Sequence, residues 1–358
     1  MLSYEKSGVS IDTADAAKKQ MAQTMASKDP RILHRPGAFA SLYDASFPGI
    51  HEPVLVMKTE EPGSKQKLVF QRARKTGASV ASIAFDMIHH LIDDIIVVGA
   101  QPLAVQDCIV CGKLEKERVL QLVSAINDAC RQNDCHLIGG ETSEQPGVLD
   151  PGLYILSSSI TGVVEKSKLL DGSTIQPGDT VLAVPSNGLH TNGYSLVRAL
   201  LAQHPALADE SIDSLVTPGT QESFLDAILQ PHTCYYRPFK DLFATNCDGL
   251  LHGIAHITGG GIAGNLNRIL PPTADALIDL AALRIPPLFK RIRSLGNVPD
   301  ADMLRTFNCG IGMTIVCNPA AVPHITKHLA SFNLHAYPIG AITPTGTAAV
   351  DYQNSPLW

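Results

Sequence analysis

The chain has 358 residues, a formal net charge of −6 and 45% hydrophobic residues, which is enough apolar material for two packed domains. Only 17% of the residues are charged and no low-complexity run is present, so the composition argues against a disordered protein. The densest basic stretch, residues 65–75, interleaves its charges with apolar residues. This pattern is typical of the exposed side of a strand and disfavours a nucleic-acid partner.

The N-terminal twenty residues contain no hydrophobic segment of the signal-peptide kind. No run reaches the roughly 18 apolar residues that a membrane span requires. We therefore expect a cytoplasmic protein without a membrane partner. The eight cysteines are scattered, as is typical of reduced thiols.

Alternating strand and helix patterns fill the first half of the chain. Strands are predicted at 54–59, at 102–112, in "CHLIGGET" and in "LYILSSSITGVVE", and helices at 79–100, ending at Gly99, and at 115–133. This alternation predicts an α/β layered fold. Cys108, Cys111, Cys130 and Cys135 loosely resemble a zinc site, but Cys130 lies on the apolar face of the second helix, which favours separate burial.

A polar, turn-rich segment at 166–179 predicts a boundary between domains 1–168 and 169–358. The pattern then restarts with strand "TVLAVPS", loop "NGLHTNG" and helix "YSLVRALLAQ". A second loop-to-helix unit covers 256–270, and late strands are predicted at 312–318 and 336–343.

An acidic stripe lies on the predicted helix 79–100. Asp86, His90, Asp93 and Asp94 are spaced i, i+4, i+7 and i+8, so they share one helix face. Three carboxylates on an apolar helix require a partner, and a hard cation such as Mg²⁺ would neutralise them. A solvent-exposed face explains the spacing equally well.

Two glycine-rich turns precede helices. In the first, His190 is followed by Thr191 or Asn192, either of which can cap the next helix; in the second, Thr258 precedes three glycines. Glycines let backbone N–H groups converge, and helix N-termini favour anions. Ordinary turn chemistry is the alternative, but two such turns favour a phosphorylated ligand.

Three further segments carry candidate chemistry. Residues 58–67, "KTEEPGSKQK", follow a strand and resemble the start of a phosphate-binding loop. Glu141 follows two glycines at the end of a strand, where ligand sites of α/β sheets are common and a structural turn is equally plausible. Cys309 precedes a glycine turn with no base nearby in sequence, which favours a buried residue over a nucleophile.

Taken together, long segments of the chain resemble the aminoimidazole ribonucleotide synthetases, also called phosphoribosylformylglycinamidine cyclo-ligases. The segments are "LSYEKSGVSID", "EPVLV", "VGAQPL", "GKLE", "LIGGETSEQPG", "GVVEKSKLLDG", "SNGLHTNGYSLVR", "AHITGGGIAGNLNRILP" and "LRTFNCGIGM". They occur in family order over nearly the whole chain.

The resemblance implies a two-domain α/β subunit with mixed sheets flanked by helices, in a homodimer whose first domain binds ATP and metal and forms the dimer. It implies ATP-dependent closure of formylglycinamidine ribonucleotide to aminoimidazole ribonucleotide in purine biosynthesis. ATP phosphorylates the amide oxygen of the substrate, and the substrate's own amine displaces the phosphate. Such a reaction depends on positioning and charge neutralisation, without a protein nucleophile.

Pattern and resemblance together indicate four groups of site residues. Catalytic roles are expected for His190, Lys65 and Glu141. ATP binding is expected for Thr59, Gly63, Ser64, Lys65, Asp107, Gly139 and Gly140. Mg²⁺ binding is expected for Glu60, Asp86, Asp93 and Asp94. Substrate binding is expected for Thr191, Asn192, Gly193, Thr258, Gly259, Gly260, Gly261 and Asn308.

The departures from the family cluster in the nucleotide loop. The family reads T-D-G-V-G-T-K where this chain reads T-E-E-P-G-S-K, and the family's second carboxylate position holds Ile155. Glu60 is interpreted as a longer metal-binding carboxylate, with Glu61 and Asp93 compensating for Ile155. The alternatives are a paralogue that acts on another amide and a non-catalytic paralogue. The family's P-T-R-x-Y also becomes "PHTCY", which places His232 where the family has threonine.

Overall fold

The structure, a computed structural model, describes residues 11–34, 37–217, 219–245, 249–344 and 346–358. Most of the N-terminal motif "LSYEKSGVSID", the first two residues of "RPGAFASL" and Cys247 lie outside the described residues. The chain divides into two compact units: the first runs to Ile95 and resumes over Ala100–Ser167, and the second comprises Ile96–Gly99 and Lys168–Trp358.

The first unit contains a four-stranded sheet of order β1-β4-β2-β3, in which β2 and β3 are parallel and the other neighbours antiparallel. Apolar residues of α3, among them Ile83, Met87, Leu91 and Ile95, are fully buried. The elements in chain order are α1 (Ile11–Thr24), β1 (Pro53–Glu60), α2 (Lys65–Thr76), α3 (Ala81–Ile96), β2 (Gln101–Cys111), α4 (Lys116–Gln132), β3 (His136–Glu144) and β4 (Tyr154–Glu165).

The basic stretch 65–75 forms helix α2, so the prediction of an exposed strand side is wrong. The buried residues of this helix are Lys65, Val69, Phe70 and Ala73. They follow one another at spacings of 4, 1 and 3 residues, so they lie on one face of the helix. The helix ends at Gly77, whose positive φ of 75° and N–H bond to the Ala73 carbonyl form a left-handed cap. The basic residues between the buried positions face outward, so charged and apolar residues are interleaved along the sequence as they are in a half-buried strand.

The second unit contains a six-stranded sheet of order β12-β9-β11-β5-β10-β8 and a two-stranded β6-β7 ribbon. Only β12 and β9 pair in parallel within the larger sheet. The elements are β5 (Thr180–Pro185), α5 (Tyr194–Gln203), β6 (Ser211–Asp213), β7 (Gln221–Ser223), α6 (Phe224–Ile228), α7 (Tyr236–Thr245), β8 (Leu251–His256), α8 (Gly261–Leu266), β9 (Asp275–Asp279), α9 (Pro287–Gly296), α10 (Asp300–Thr306), β10 (Ile311–Cys317), α11 (Val322–Ala330), β11 (Tyr337–Thr343) and β12 (Val350–Gln353).

The described cysteines are free thiols. Cys111, Cys130 and Cys135 are buried, and among the described residues no cysteine belongs to a group that could hold a metal ion. Burial is thus shown for three of the four cysteines, whereas Cys108 is only partly buried and the Cys135 thiol contacts the Cys130 carbonyl oxygen at 3.4 Å. Within the same residues, no helix is long and apolar enough to cross a membrane.

Candidate functional site

A row of polar residues crosses the four-stranded sheet of the first unit. Glu60 pairs with Ser158, Ser158 with Asp107, and Asp107 with Gly140. Residues directly opposite each other on paired strands project to the same face. The Ser158 hydroxyl lies 3.3 Å from the Met87 sulfur, so this is the face that α3 covers.

Lys58 links two of the predicted metal ligands. Its ammonium lies 3.0 Å from an oxygen of Glu60 and 3.0 Å from an oxygen of Asp94. Burial lowers the pKa of Lys58, but the two carboxylates outweigh burial and hold the pKa above its usual value. Sequence reasoning missed Lys58, although strand alternation places Lys58 and Glu60 on one face.

Lys65 does not lie on a loop surface as a phosphate ligand would. It is the first residue of α2, is fully buried, and its ammonium lies 2.8 Å from Asp86. Burial lowers the pKa of Lys65, against the opposing effect of the Asp86 charge. In the structure Lys65 and Asp86 therefore form a buried ion pair, and the roles of Lys65 towards ATP and of Asp86 towards Mg²⁺ stay predictions.

The acidic stripe is buried, so the alternative of a solvent-exposed face is wrong. Asp86 and Asp93 are 0% exposed and His90 is 6% exposed. The Nε2 atom of His90 lies 3.6 Å from Asp94, whose carboxylate also meets Lys58. Of the four predicted metal ligands, Glu60 and Asp94 are therefore brought together around one cation.

Asp107 is a buried carboxyl group whose pKa is strongly raised. Burial raises the pKa of Asp107 to about 7, the Glu141 charge adds to this, and a hydrogen bond from its own backbone opposes it. Gly140 leaves room for this side chain, because a Cβ there would lie 1.8 Å from an Asp107 oxygen. Gly140 therefore has a packing role beside its predicted role in ATP binding.

The predicted ATP-binding residues Thr59 and Gly139 lie on the opposite face of the sheet, together with the predicted catalytic residue Glu141. Gly63 and Ser64 precede α2. Glu141 pairs with Cys108, one residue beyond Asp107, and Thr59 pairs with Ser159 at an oxygen–oxygen distance of 2.8 Å. Gly139 pairs with Gln106 on that same face, where a Cβ would lie 2.4 Å from Ser41. Gly63 has a φ of +60°, and Ser64 is the N-cap of α2 without a side-chain cap bond.

In the second unit, His190 lies in the loop between β5 and α5. It is 2% exposed and has a φ of +58°, a strained conformation for a residue other than glycine. Its carbonyl accepts a 3.2 Å hydrogen bond from Tyr194. Thr191 is buried, and neither it nor Asn192 caps α5, because the N-cap is Gly193 without a side-chain cap bond.

Asn308 braces this loop. Its amide donates to the Gly188 carbonyl at 3.0 Å, and its oxygen accepts from the Gly310 N–H at 3.0 Å and from the Ser186 hydroxyl at 3.4 Å. At 2% exposure, Asn308 bonds to Ser186 and Gly188 of the loop and to its own neighbour Gly310. These bonds give Asn308 a positioning role, and its expected role in substrate binding stays a prediction.

The turn Thr258–Gly261 is organised by Asn265, which sequence reasoning did not single out. The Asn265 amide donates to the carbonyls of Gly259 and Gly261 at 3.2 and 2.8 Å, and its oxygen accepts from the Thr258 hydroxyl at 3.2 Å. Gly260 and Gly261 both have positive φ, and a Cβ on Gly261 would lie 1.7 Å from the Leu304 carbonyl oxygen. These glycines are therefore required by the backbone, whatever the turn binds.

Cys309 is buried, and burial raises its pKa to about 12. A thiol with this pKa is not a nucleophile near neutral pH. The interpretation of Cys309 as a buried small residue is confirmed.

We predict that Lys65→Met destabilises the protein by about 3–5 kcal/mol, because it leaves the buried Asp86 charge uncompensated. The double variant Lys65→Met/Asp86→Leu should recover much of that loss, and Lys67→Met on the exposed side of α2 should stay within about 0.5 kcal/mol. Urea denaturation measures all three. Unchanged stability of Lys65→Met would contradict the role of the pair.

The raised pKa of Asp107 predicts a pH-dependent stability. Because the folded-state pKa lies above the usual 3.8, the folded chain holds this proton more tightly than the unfolded chain. The resulting stabilisation is complete below about pH 4 and is lost as the pH rises through about 7. The Asp107→Asn variant has no carboxyl group here and does not lose this stabilisation. Its free energy of unfolding, relative to that of the unaltered chain, should therefore rise by roughly 4 kcal/mol between pH 4 and 8.

Denaturation curves of both chains at several pH values measure this difference, with Asp128→Asn on the exposed side of α4 as the control for removing a carboxylate. Parallel pH profiles for Asp107→Asn and the unaltered chain would rule out the shifted carboxyl group.

Comparisons with known proteins agree with this architecture. Residues 50–164 match the N-terminal domain, and residues 176–353 the C-terminal domain, of the family of AIR synthase related proteins. Among solved structures, thiamine-monophosphate kinase from Stenotrophomonas maltophilia K279a covers 98% of both chains at 17% identity and a TM-score of 0.65. The hydrogenase maturation protein HypE in complex with ATP covers 96% of this chain and 91% of its own, at 15% identity and a TM-score of 0.65. These two structures share the fold.

Curated relatives are closer in sequence. The phosphoribosylformylglycinamidine cyclo-ligase of Carboxydothermus hydrogenoformans is 38% identical over 96% of both chains. The enzyme of the same name from Xylella fastidiosa is 36% identical over 98% of this chain and 96% of its own. At this identity over nearly the whole length, the chain belongs to the phosphoribosylformylglycinamidine cyclo-ligase family.

Proposed function

We propose that the protein is an ATP-dependent cyclo-ligase that closes formylglycinamidine ribonucleotide to aminoimidazole ribonucleotide in purine biosynthesis. The observation that carries this function is the similarity to curated cyclo-ligases over 96% of the chain at up to 38% identity. ATP is consumed as a substrate: its terminal phosphoryl group is transferred to the amide oxygen of the ribonucleotide. The substrate's amine nitrogen then bonds to that carbon, and the C–O bond breaks as phosphate departs.

The residues of the chain support this reaction by binding and positioning, since phosphoryl transfer of this kind needs no protein nucleophile. We propose that Thr59, Gly63, Ser64, Gly139 and Gly140 bind the nucleotide. For the ribonucleotide we propose the two glycine-rich turns, with residues Thr191, Asn192, Gly193, Thr258, Gly259, Gly260 and Gly261.

His190 is proposed to hydrogen-bond the ribonucleotide or to move a proton during ring closure. Its ring lies beside the first glycine-rich turn, and Asn308 and Tyr194 fix the backbone of its loop. Glu141 is proposed to act from the exposed face of the sheet, where Thr59 also lies.

Mg²⁺ is proposed to bind Glu60 and Asp94. The donor set fits a cation, because two carboxylates already lie 3.0 Å from the Lys58 ammonium. When bound, Mg²⁺ neutralises phosphate charge. Asp93 is buried on the same helix and is a further candidate, while Asp86 is bound to Lys65.

The function predicts that phosphate release from ATP depends on both formylglycinamidine ribonucleotide and Mg²⁺ and is matched by aminoimidazole formation. A coupled phosphate assay and a colorimetric assay for the product measure the two together. Release that occurs only with another amide substrate would indicate the paralogue that acts on a different compound. No release with any divalent cation would indicate a non-catalytic protein.

The same assay tests the cation site with two substitutions of opposite effect. Glu60→Gln removes one ligand and should raise the Mg²⁺ concentration for half-maximal activity about tenfold, that is about 1.4 kcal/mol. Lys58→Met removes an ammonium that competes for the same carboxylates and should lower that concentration. Glu61→Gln, on an exposed residue of the same loop, is the control; equal effects of Glu60→Gln and Glu61→Gln would place the metal elsewhere.

We also propose that the protein forms a homodimer through the face of the four-stranded sheet opposite α3. Leu55 and Met57 are two residues apart on that face and are 48 and 69% exposed, and Ile155, on the same face farther along β4, is 43% exposed. Their burial against a second copy removes this apolar surface from water.

The dimer predicts a mass near 76 kDa, twice the 38.2 kDa of one chain, by light scattering at micromolar concentration. Leu55→Glu/Met57→Glu should shift the protein to monomer, because charges would be buried in the interface. Val148→Glu, at an exposed loop position elsewhere in the unit, should remain dimeric. A monomeric unaltered chain, or dimers in all variants, would refute the proposed face.

A further inference from the structure

Three histidine side chains from separate segments of the second unit meet in its interior. His190 belongs to the loop after β5, His232 to the segment between α6 and α7, and His256 is the last residue of β8. One ring nitrogen of each lies within 4.8 Å of those of the other two. The three residues are 2, 1 and 6% exposed.

The distances match those of a metal site. The Nε2 atoms of His232 and His256 are 3.2 Å apart. Two nitrogens bound to one zinc ion at about 2.0–2.1 Å in tetrahedral geometry lie about 3.3–3.4 Å apart. The His232–His256 pair is at hydrogen-bond distance, and its separation is also close to one edge of such a tetrahedron.

We propose that His190, His232 and His256 bind a divalent transition-metal ion of the zinc type. Imidazole nitrogens suit Zn²⁺, Co²⁺, Ni²⁺ and Cu²⁺, whereas Mg²⁺ prefers oxygen ligands. The site is therefore chemically distinct from the carboxylate site of the first unit. Three protein ligands leave the fourth position of a tetrahedral ion to water or to a bound small molecule.

Binding requires a small movement of one ring. The rings of His190 and His232 are stacked, with centroids 3.8 Å apart and planes inclined by 20°. The in-plane lone pairs of stacked rings run side by side, so one ring has to tilt before both nitrogens point at the same ion. The His232 and His256 rings, inclined by 52°, are closer to a convergent arrangement.

His232 is the ligand that distinguishes this chain from the family pattern, which has threonine at that position. His190 and His256 stand within the segments "SNGLHTNG" and "AHITGGG", which the chain shares with the family. His232→Thr is therefore the natural test variant, because it restores the family residue and leaves the other two imidazoles in place.

Metal binding has a consequence that rests on the proposed function. An ion held by His190 withdraws that imidazole from the ribonucleotide, so Zn²⁺ should inhibit cyclisation by the unaltered chain. Direct binding measurements do not depend on turnover, so a failure of the metal site and a failure of the proposed function are distinguishable.

The test uses the untagged, full-length protein, treated with a chelator and dialysed against Zn²⁺, with bound zinc measured by elemental analysis. We expect one zinc per chain that is lost, or bound at least tenfold more weakly, in His232→Thr. His324→Gln, which removes an exposed histidine of α11, is the matched control and should retain the full content. His232→Thr that binds zinc like the control would overturn the proposal.

Co²⁺ provides a measurement that needs no variant. The unaltered chain should give the intense visible absorption of tetrahedral cobalt, and added Zn²⁺ should abolish it. Bound Co²⁺ with only the weak absorption of an octahedral ion would also overturn the proposal. Circular dichroism establishes that His232→Thr is folded before its zinc content is compared.

Discussion

The burial of carboxylates on α3 is the constraint on which the first unit depends. Helix α3 is apolar around Asp86 and Asp93, and both side chains are fully buried. An uncompensated charge in such a place is costly, so the fold has to supply partners. Lys65 at the start of α2 lies against Asp86, and Lys58 of β1 lies against Asp94 on the same helix. These ion pairs join α2 and β1 to α3.

The same requirement bears on the two glutamates at the end of β1, Glu60 within the strand and Glu61 after it. Glu60 projects towards α3, where Lys58 lies between it and Asp94, whereas Glu61 is exposed. A loop with negative charge is compatible with a nucleotide site when a cation lies between carboxylate and phosphate. In the structure Lys58 lies between the carboxylates of Glu60 and Asp94, and the proposed Mg²⁺ competes with it for the same oxygens. The loop residues thus belong to an electrostatic arrangement that includes β1 and α3.

In the second unit, backbone geometry governs the candidate site. Gly193 and Gly261 tolerate no Cβ, because Phe307 and the Leu304 carbonyl lie where it would be placed. Asn308 and Asn265 bond to the backbone of the two turns and hold them in shape. The side chains of these asparagines are therefore positioning groups, and the braced loop holds His190, in a left-handed conformation, in the interior of the unit.

The sequence by itself determined the α/β class, most strands and helices, and the family, because periodicity and long motifs are local properties of the chain. It also identified Cys309 as a buried thiol. It failed at residues 65–75, where interleaved charges matched a strand as well as a helix face. Only the tertiary structure decided three features: the ion pairs Lys65–Asp86 and Lys58–Asp94, the opposite faces of Asp107 and Glu141, and the meeting of three histidines. The ion pairs and the histidines join residues that are 21 to 66 positions apart in the chain, and the two faces depend on strand register. A local sequence pattern encodes neither a distant contact nor a register.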